Sequence, residues 1–207
     1  MKLFLASSAD KTVHLLKELL QDSSHKEVLL IANAADPYTD QFLVDLDRNK
    51  FEELGYKPNS LDLRKTTPEE LQQLLEVNDI LHICGGSVYY LMALIREKGF
   101  EEIITNAIKN ETIIYTGTSA GAIIPSKNIR PFSNDAEEKE YIAKVPDHKG
   151  LGILNFAIVP HGDSVDFAEG NKKMIEEMQN DPTALFYIQD HQAVWVEDDA
   201  FKLLEAN

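Results

Sequence analysis

The sequence predicts an α/β fold: a mostly parallel sheet with helices on both faces and an antiparallel hairpin at its C-terminal edge. Three observations carry that expectation. Short apolar runs alternate with amphipathic stretches over most of the 207 residues, as crossover-connected strands require. The runs Val28-Leu29-Leu30-Ile31 and Ile80–Cys84 are apolar almost throughout, the pattern of strands buried on both sides. The last two runs follow each other closely across Gln189–Gln192, which suggests an antiparallel pair at one edge.

In order, strands are expected at Lys2–Ala6, Glu27–Ala32, Pro58–Leu63, Asp79–Cys84, Thr112–Thr116, Phe156–Pro160, Ala184–Ile188 and Ala193–Val196. Between them, Thr12–Leu20 places Val13, Leu16, Leu19 and Leu20 on one helical face. Thr39–Leu54 spaces Phe42, Leu43, Leu46 and Leu54 in the same way and stops at Gly55. Thr67-Pro68-Glu69-Glu70 is a capping box with proline at the first helical position, which predicts a helix to about Val77. Ser87–Lys98 is a further helix closed by Gly99. The polar stretch Pro125–Gly150, with Pro131, Pro146 and the acidic run Asp135–Glu140, reads as an excursion from one domain spanning residues 1–207.

Composition narrows the function classes. Hydrophobic residues make up 43% and charged residues 27%, as in an ordinary globular chain. A formal net charge of −15 argues against nucleic acid and anionic membranes as partners. The single cysteine, Cys84, excludes an internal disulfide and a cysteine-rich metal site. Leu3-Phe4-Leu5-Ala6 is too short for the apolar core of a signal peptide. No run approaches the roughly 18 apolar residues that span a bilayer. The expected location is the cytoplasm.

Chemistry concentrates where strands end. Ligand sites of open parallel sheets lie beyond the carboxyl ends of the strands. Gly85-Gly86-Ser87, Ser119 and His161 each follow such an end. Ser119 sits in Gly117-Thr118-Ser119-Ala120-Gly121, a strand-to-helix elbow whose small residues tolerate a sharp, strained turn. A serine hydroxyl needs a base within hydrogen-bond reach, and His161 is the candidate. A carboxylate should orient that imidazole. Asp135 is the preferred choice, with Asp163, Asp166 and Asp190 as rivals. The backbone N–H groups of Gly86 and Ala120 are the candidate oxyanion hole, and Gly85 and Ser87 candidate substrate contacts. Gly85-Gly86 lacks the lysine and spacing of a phosphate loop. His82 and Cys84 read as core residues, Met174 and Met178 as helix packing.

These residues resemble the family of serine peptidases that includes dipeptidase E and cyanophycinase. The likeness runs from Leu3–Ser8 through Ile83–Ser87 and Tyr115–Ala122 to Pro160-His161. It implies a fold like that of class I glutamine amidotransferase domains, which is flavodoxin-like, with serine in place of cysteine at the elbow. It also implies Ser119 as nucleophile, His161 as base, and Asn134-Asp135 as the source of the acid. The implied reaction is hydrolysis of short peptides through an acyl-enzyme, without metal or cofactor, with an acidic residue before the cut bond. Two departures stand out. Gly85-Gly86-Ser87 replaces the usual Gly-Gly-Asn, and Gly162–Gly170 carries no basic residue where relatives often carry arginines. The expected partner is a small peptide, and the chain is expected to be a monomer or homodimer. A binding domain that keeps the elbow without turnover is the alternative.

Overall fold

The computed structural model describes residues 1–20, 26–134 and 138–206. Its strands are β1 (Lys2–Ala6), β2 (Glu27–Ile31), β3 (Lys57–Leu61), β4 (Ile80–Ile83), β5 (Ile114–Thr118), β6 (Phe156–Val159), β7 (Ala184–Tyr187), β8 (Gln192–Glu197) and β9 (Ala200–Glu205). The helices are α1 (Ala9–Leu20), α2 (Phe42–Glu53), α3 (Pro68–Val77), α4 (Val88–Glu97), α5 (Glu101–Lys109), α6 (Ala120–Ile123), α7 (Lys139–Ile142) and α8 (Ala168–Met178). Among the described residues the main sheet has the order β3-β2-β4-β5-β1-β8-β9. The first five strands in that order run parallel, and β8 and β9 are antiparallel.

Side-chain alternation divides the core between the two faces. Leu3 and Leu5 of β1 point to the face covered by α3, α4 and α5, where Leu71, Leu75, Leu91 and Ile104 pack. Phe4 and Ala6 point the other way, onto Val13 and Leu16 of α1 and Phe51 of α2. Burying each such large side chain contributes roughly 1.5–3 kcal/mol, so a strand buried on both faces must be apolar at nearly every position. Helix α3 starts as its sequence dictates. The Thr67 hydroxyl accepts the Glu70 N–H, and the Glu70 carboxylate accepts the Thr67 N–H.

Two expectations change in detail. The C-terminal hairpin is β8–β9, turning at Asp198-Asp199, not a pairing of Ala184–Ile188 with Ala193–Val196. Strand β7 instead pairs in parallel with β6 in a separate two-stranded sheet. The outermost strand β9 leaves Phe201 and Leu203 half exposed, so it lacks the buried apolar run by which inner strands announce themselves. Strand β5 also runs on to Thr118, which brings the sheet edge directly to Ser119. The polar excursion is tied down over α4. Ile129 and Val145 are fully buried, and the Tyr89 hydroxyl donates to the Ile129 carbonyl at 3.1 Å.

Candidate active site

Strands β4, β5 and β1 lie side by side, so the turns that follow them meet at one edge of the sheet. Ser119 stands at the β5–α6 junction with φ 50° and ψ −111°, a left-handed conformation that costs a non-glycine residue of order 1–3 kcal/mol. The elbow closes only because its flanks are glycine. A Cβ at Gly117 would lie 2.2 Å from the Gly121 carbonyl oxygen, and one at Gly121 would lie 2.1 Å from that of Ile83. The Tyr115 hydroxyl also donates to the Gly121 carbonyl, at 2.6 Å. The strained turn is thus held by β4 and β5 themselves.

His161 follows β6 and has φ 59°. Its Nε2 is 3.0 Å from Ser119 Oγ, and its Nδ1 is 2.6 Å from Asp190 Oδ1. With Asp190 accepting the Nδ1 proton, Nε2 is free to accept the serine O–H. Phe167 stacks on the imidazole with ring centroids 4.8 Å apart and planes inclined by 19°, which screens one face of the ring from water. The Asp190 carboxylate also accepts from the Ser7 hydroxyl at 2.9 Å and from Lys11 Nζ at 3.0 Å. Burial works to raise the pKa of Asp190. The hydrogen bonds from His161, Lys11 and Ser7 outweigh it and bring the carboxyl down to about 2. Asp190 is therefore ionised at any pH where a peptidase would work.

The preferred carboxylate of the sequence reading, Asp135, lies outside the described residues. The carboxylate that meets the imidazole is Asp190, one of its three rivals. A second rival, Asp163, accepts the Asp190 backbone N–H at 3.2 Å. Sequence reasoning passed over Ser7, Lys11 and Phe167. Ser7 lies between β1 and α1 and Lys11 in the first turn of α1, more than 150 residues from the groups they touch, and no local pattern marks such a contact. The start of the β1–α1 segment was nonetheless visible as Ala6-Ser7-Ser8, leaving a central strand at the edge where the other candidates gather.

Gly85-Gly86-Ser87 lies against the elbow and the short helical turn at Asn33–Ala35. A Cβ at Gly85 would come within 3.1 Å of Ser119 Cβ. Gly86 has φ 140°, and its Cβ would fall 2.2 Å from the Ala34 carbonyl oxygen. Only glycine fits there. Neither the Gly86 nor the Ala120 N–H has a hydrogen-bond acceptor among the described residues. The Ser87 hydroxyl is fully buried and caps α4, accepting the Tyr90 N–H at 3.1 Å. That side chain is committed to the helix, and its backbone is engaged as well, the N–H donating to the Ala34 carbonyl at 2.8 Å and the carbonyl accepting the Leu91 N–H at 3.2 Å.

Among the described residues, one group of side chains could hold a metal ion. Atoms of Asp47, His82 and Cys84 lie within 4.8 Å of one another, all buried beneath α2. Both His82 nitrogens already have partners, Thr116 Oγ1 at 2.8 Å and Asp47 Oδ2 at 3.1 Å. Burial, reinforced by the Asp47 charge, pushes the Cys84 thiol well above its usual pKa, so it is not a thiolate ready for a metal. The cluster is accounted for as a hydrogen-bonded core, the role expected of His82 and Cys84.

An α/β sheet that presents a serine on a strained elbow, with a histidine and a carboxylate in line behind it, has the geometry of the serine hydrolases. The family model of peptidase family S51 matches residues 3–204, and the chain belongs to that family of serine-type peptidases. It is 28% identical over 206 residues to an uncharacterized peptidase of Pasteurella multocida, covering 100% of this chain and 98% of that one. A peptidase E of a Nostoc species is 29% identical over 139 residues, 67% of this chain and 53% of its own length. A crystal structure of a Listeria monocytogenes protein, provisionally named peptidase E, superposes with a TM-score of 0.89 at 25% identity. That match covers 100% of this chain and 98% of the other.

Proposed function

We propose that the protein hydrolyses short peptides through an acyl-enzyme, with Ser119 as nucleophile, His161 as base and Asp190 as the carboxylate that orients it. The observation that carries this reading is the unbroken line Ser119 Oγ–His161 Nε2, 3.0 Å, and His161 Nδ1–Asp190 Oδ1, 2.6 Å. Ser119 Oγ attacks the scissile carbonyl carbon while Nε2 takes its proton. The negative charge that forms on the carbonyl oxygen meets the N–H groups of Ala120 and Gly86. As the tetrahedral species collapses, the imidazolium returns the proton to the departing amine. Water then repeats the cycle on the acyl-serine, again through His161.

The small-peptide substrate is taken from the family resemblance, and the excursion anchored on α4 by Ile129 and Val145 is not needed for it. The acidic residue implied before the cut bond has thinner support. Lys11, the cation that contacts the triad, is already committed to Asp190. A dipeptide library containing Asp-X, Glu-X, β-linked and neutral members tests both levels. Cleavage of at least one class by the wild type, lost in Ser119→Ala and His161→Ala variants that still fold, is the expected outcome. Full activity in either variant refutes the assignment. Binding of peptides without turnover would instead favour the non-catalytic alternative.

A further inference from the structure

We infer that the β1–α1 segment selects and holds the triad's carboxylate, with Ser7 and Lys11 as positioning residues that commit Asp190 to His161. The inference rests on the proposed triad and names what organises it. All three triad members hang on this one stretch. The Ala6 carbonyl accepts the Ser119 N–H at 3.1 Å. The Ser7 hydroxyl accepts the His161 N–H at 2.8 Å and donates to Asp190 Oδ1 at 2.9 Å. Lys11 Nζ holds the other carboxylate oxygen at 3.0 Å.

The chemistry of Ser7 is suited to the task. A hydroxyl has one proton to give and two lone pairs to offer. Here the proton goes to Asp190, one lone pair takes the His161 backbone N–H, and the other faces Nδ1 at 3.3 Å. Ser7 is fully buried, so water cannot substitute for it. The N–H it satisfies belongs to a residue with φ 59°, a backbone state that persists only where its surroundings hold it. Its own N–H is fixed to the Gln192 carbonyl at 3.3 Å. That bond ties the residue after β1 to the start of β8, two positions beyond Asp190.

Lys11 acts through charge. It draws Asp190 to the histidine and neutralises part of its charge, which limits how far the imidazolium is favoured. The other charged groups at this corner are Asp163, whose carboxylate receives the Asp190 N–H, and Asp10, which acts on Lys11 itself. His191, the next residue after Asp190, pairs with Glu205. From the α8 side the Phe167 ring stacks on His161. Removing Lys11 leaves Asp190 less neutralised and frees its second oxygen, so the carboxylate that faces His161 is changed in both charge and position.

The test uses the full chain with Ser7→Ala, Lys11→Met and Lys11→Arg variants. The His161 imidazole is titrated by NMR, and the Ser119 reaction rate with a fluorophosphonate is followed against pH. Lys11→Met is expected to displace the acid limb of the rate profile, with the His161 imidazole signal following it. Lys11→Arg is expected to restore both. Ser7→Ala is expected to slow the Ser119 reaction about tenfold and to change the environment of the His161 Nδ1 proton. Unchanged titration and rate in both Ser7→Ala and Lys11→Met overturn the inference. Lys11 is half exposed, so its variants keep the test open if Ser7→Ala does not fold. A wild type that cleaves no peptide would defeat the peptidase reading alone, because the titration needs no substrate.

Discussion

Replacing Asp190 with asparagine should separate catalysis from stability, because the structure gives this carboxylate a part in each. At its Oδ1 the group accepts the His161 Nδ1 proton, and at its Oδ2 it pairs with Lys11. An asparagine that turns its NH₂ toward Nδ1 forces the other imidazole tautomer. Nε2 then carries a proton and cannot accept one from Ser119. A loss of about 10³–10⁴-fold in kcat is expected, on the scale of the same substitution in a serine-protease triad, with KM little changed. The stability cost follows from the pKa. Folding lowers Asp190 from 3.8 to about 2, and at 1.36 kcal/mol per unit that is roughly 2 kcal/mol. Its side chain is 27% exposed, and solvent screening trims the figure to about 1–2 kcal/mol. Because folding depresses this pKa, the contribution is whole above the unfolded value and fades as pH falls from about 4 toward 2. Urea unfolding of both proteins at pH 7 and near pH 3 measures it. The gap should narrow at the lower pH. Wild-type turnover in Asp190→Asn, with turnover abolished in Asp135→Asn, would refute the assignment.

Other substitutions probe the framework. Gly121→Ala places a methyl 2.1 Å from the Ile83 carbonyl oxygen and should cost at least about 1–3 kcal/mol. It should also displace Ser119, so activity falls further than stability in parallel urea and turnover measurements. Thr67→Ala removes one half of the α3 capping box and should lower stability by about 1 kcal/mol with kcat unchanged. Phe100→Ala empties a fully buried site and should cost about 3–5 kcal/mol, read as a shift of the urea midpoint.

What the sequence made legible follows from where each signal resides. The elbow was readable because its turn admits only small residues at fixed positions, and Gly117 and Gly121 meet backbone on both sides. The capping box before α3 and the apolar runs of β2 and β4 are equally local. His161 was readable by its place after β6. The partner of His161 was not. Asp190 reaches Nδ1 from the loop between β7 and β8, drawn there by Ser7 and Lys11 across about 180 residues of chain. In a chain of 35 acidic residues a single aspartate carries no mark of such a role. The antiparallel hairpin expected at the C-terminal edge is present, and only its strands differ from the expected pair, for a related reason. An outermost strand such as β9 buries little, and the closely spaced β7 and β8 belong to different sheets.

The account stands on the pairing of Ser119 with His161, and covalent labelling by a fluorophosphonate reads that pairing without knowledge of the substrate. Intact-mass analysis should show one phosphonyl group on the wild type, mapped to Ser119 by peptide fragmentation. Ser119→Ala should take up none, and His161→Ala should react at least about 100-fold more slowly. Equal labelling of wild type and His161→Ala, or modification at a residue other than Ser119, would contradict it.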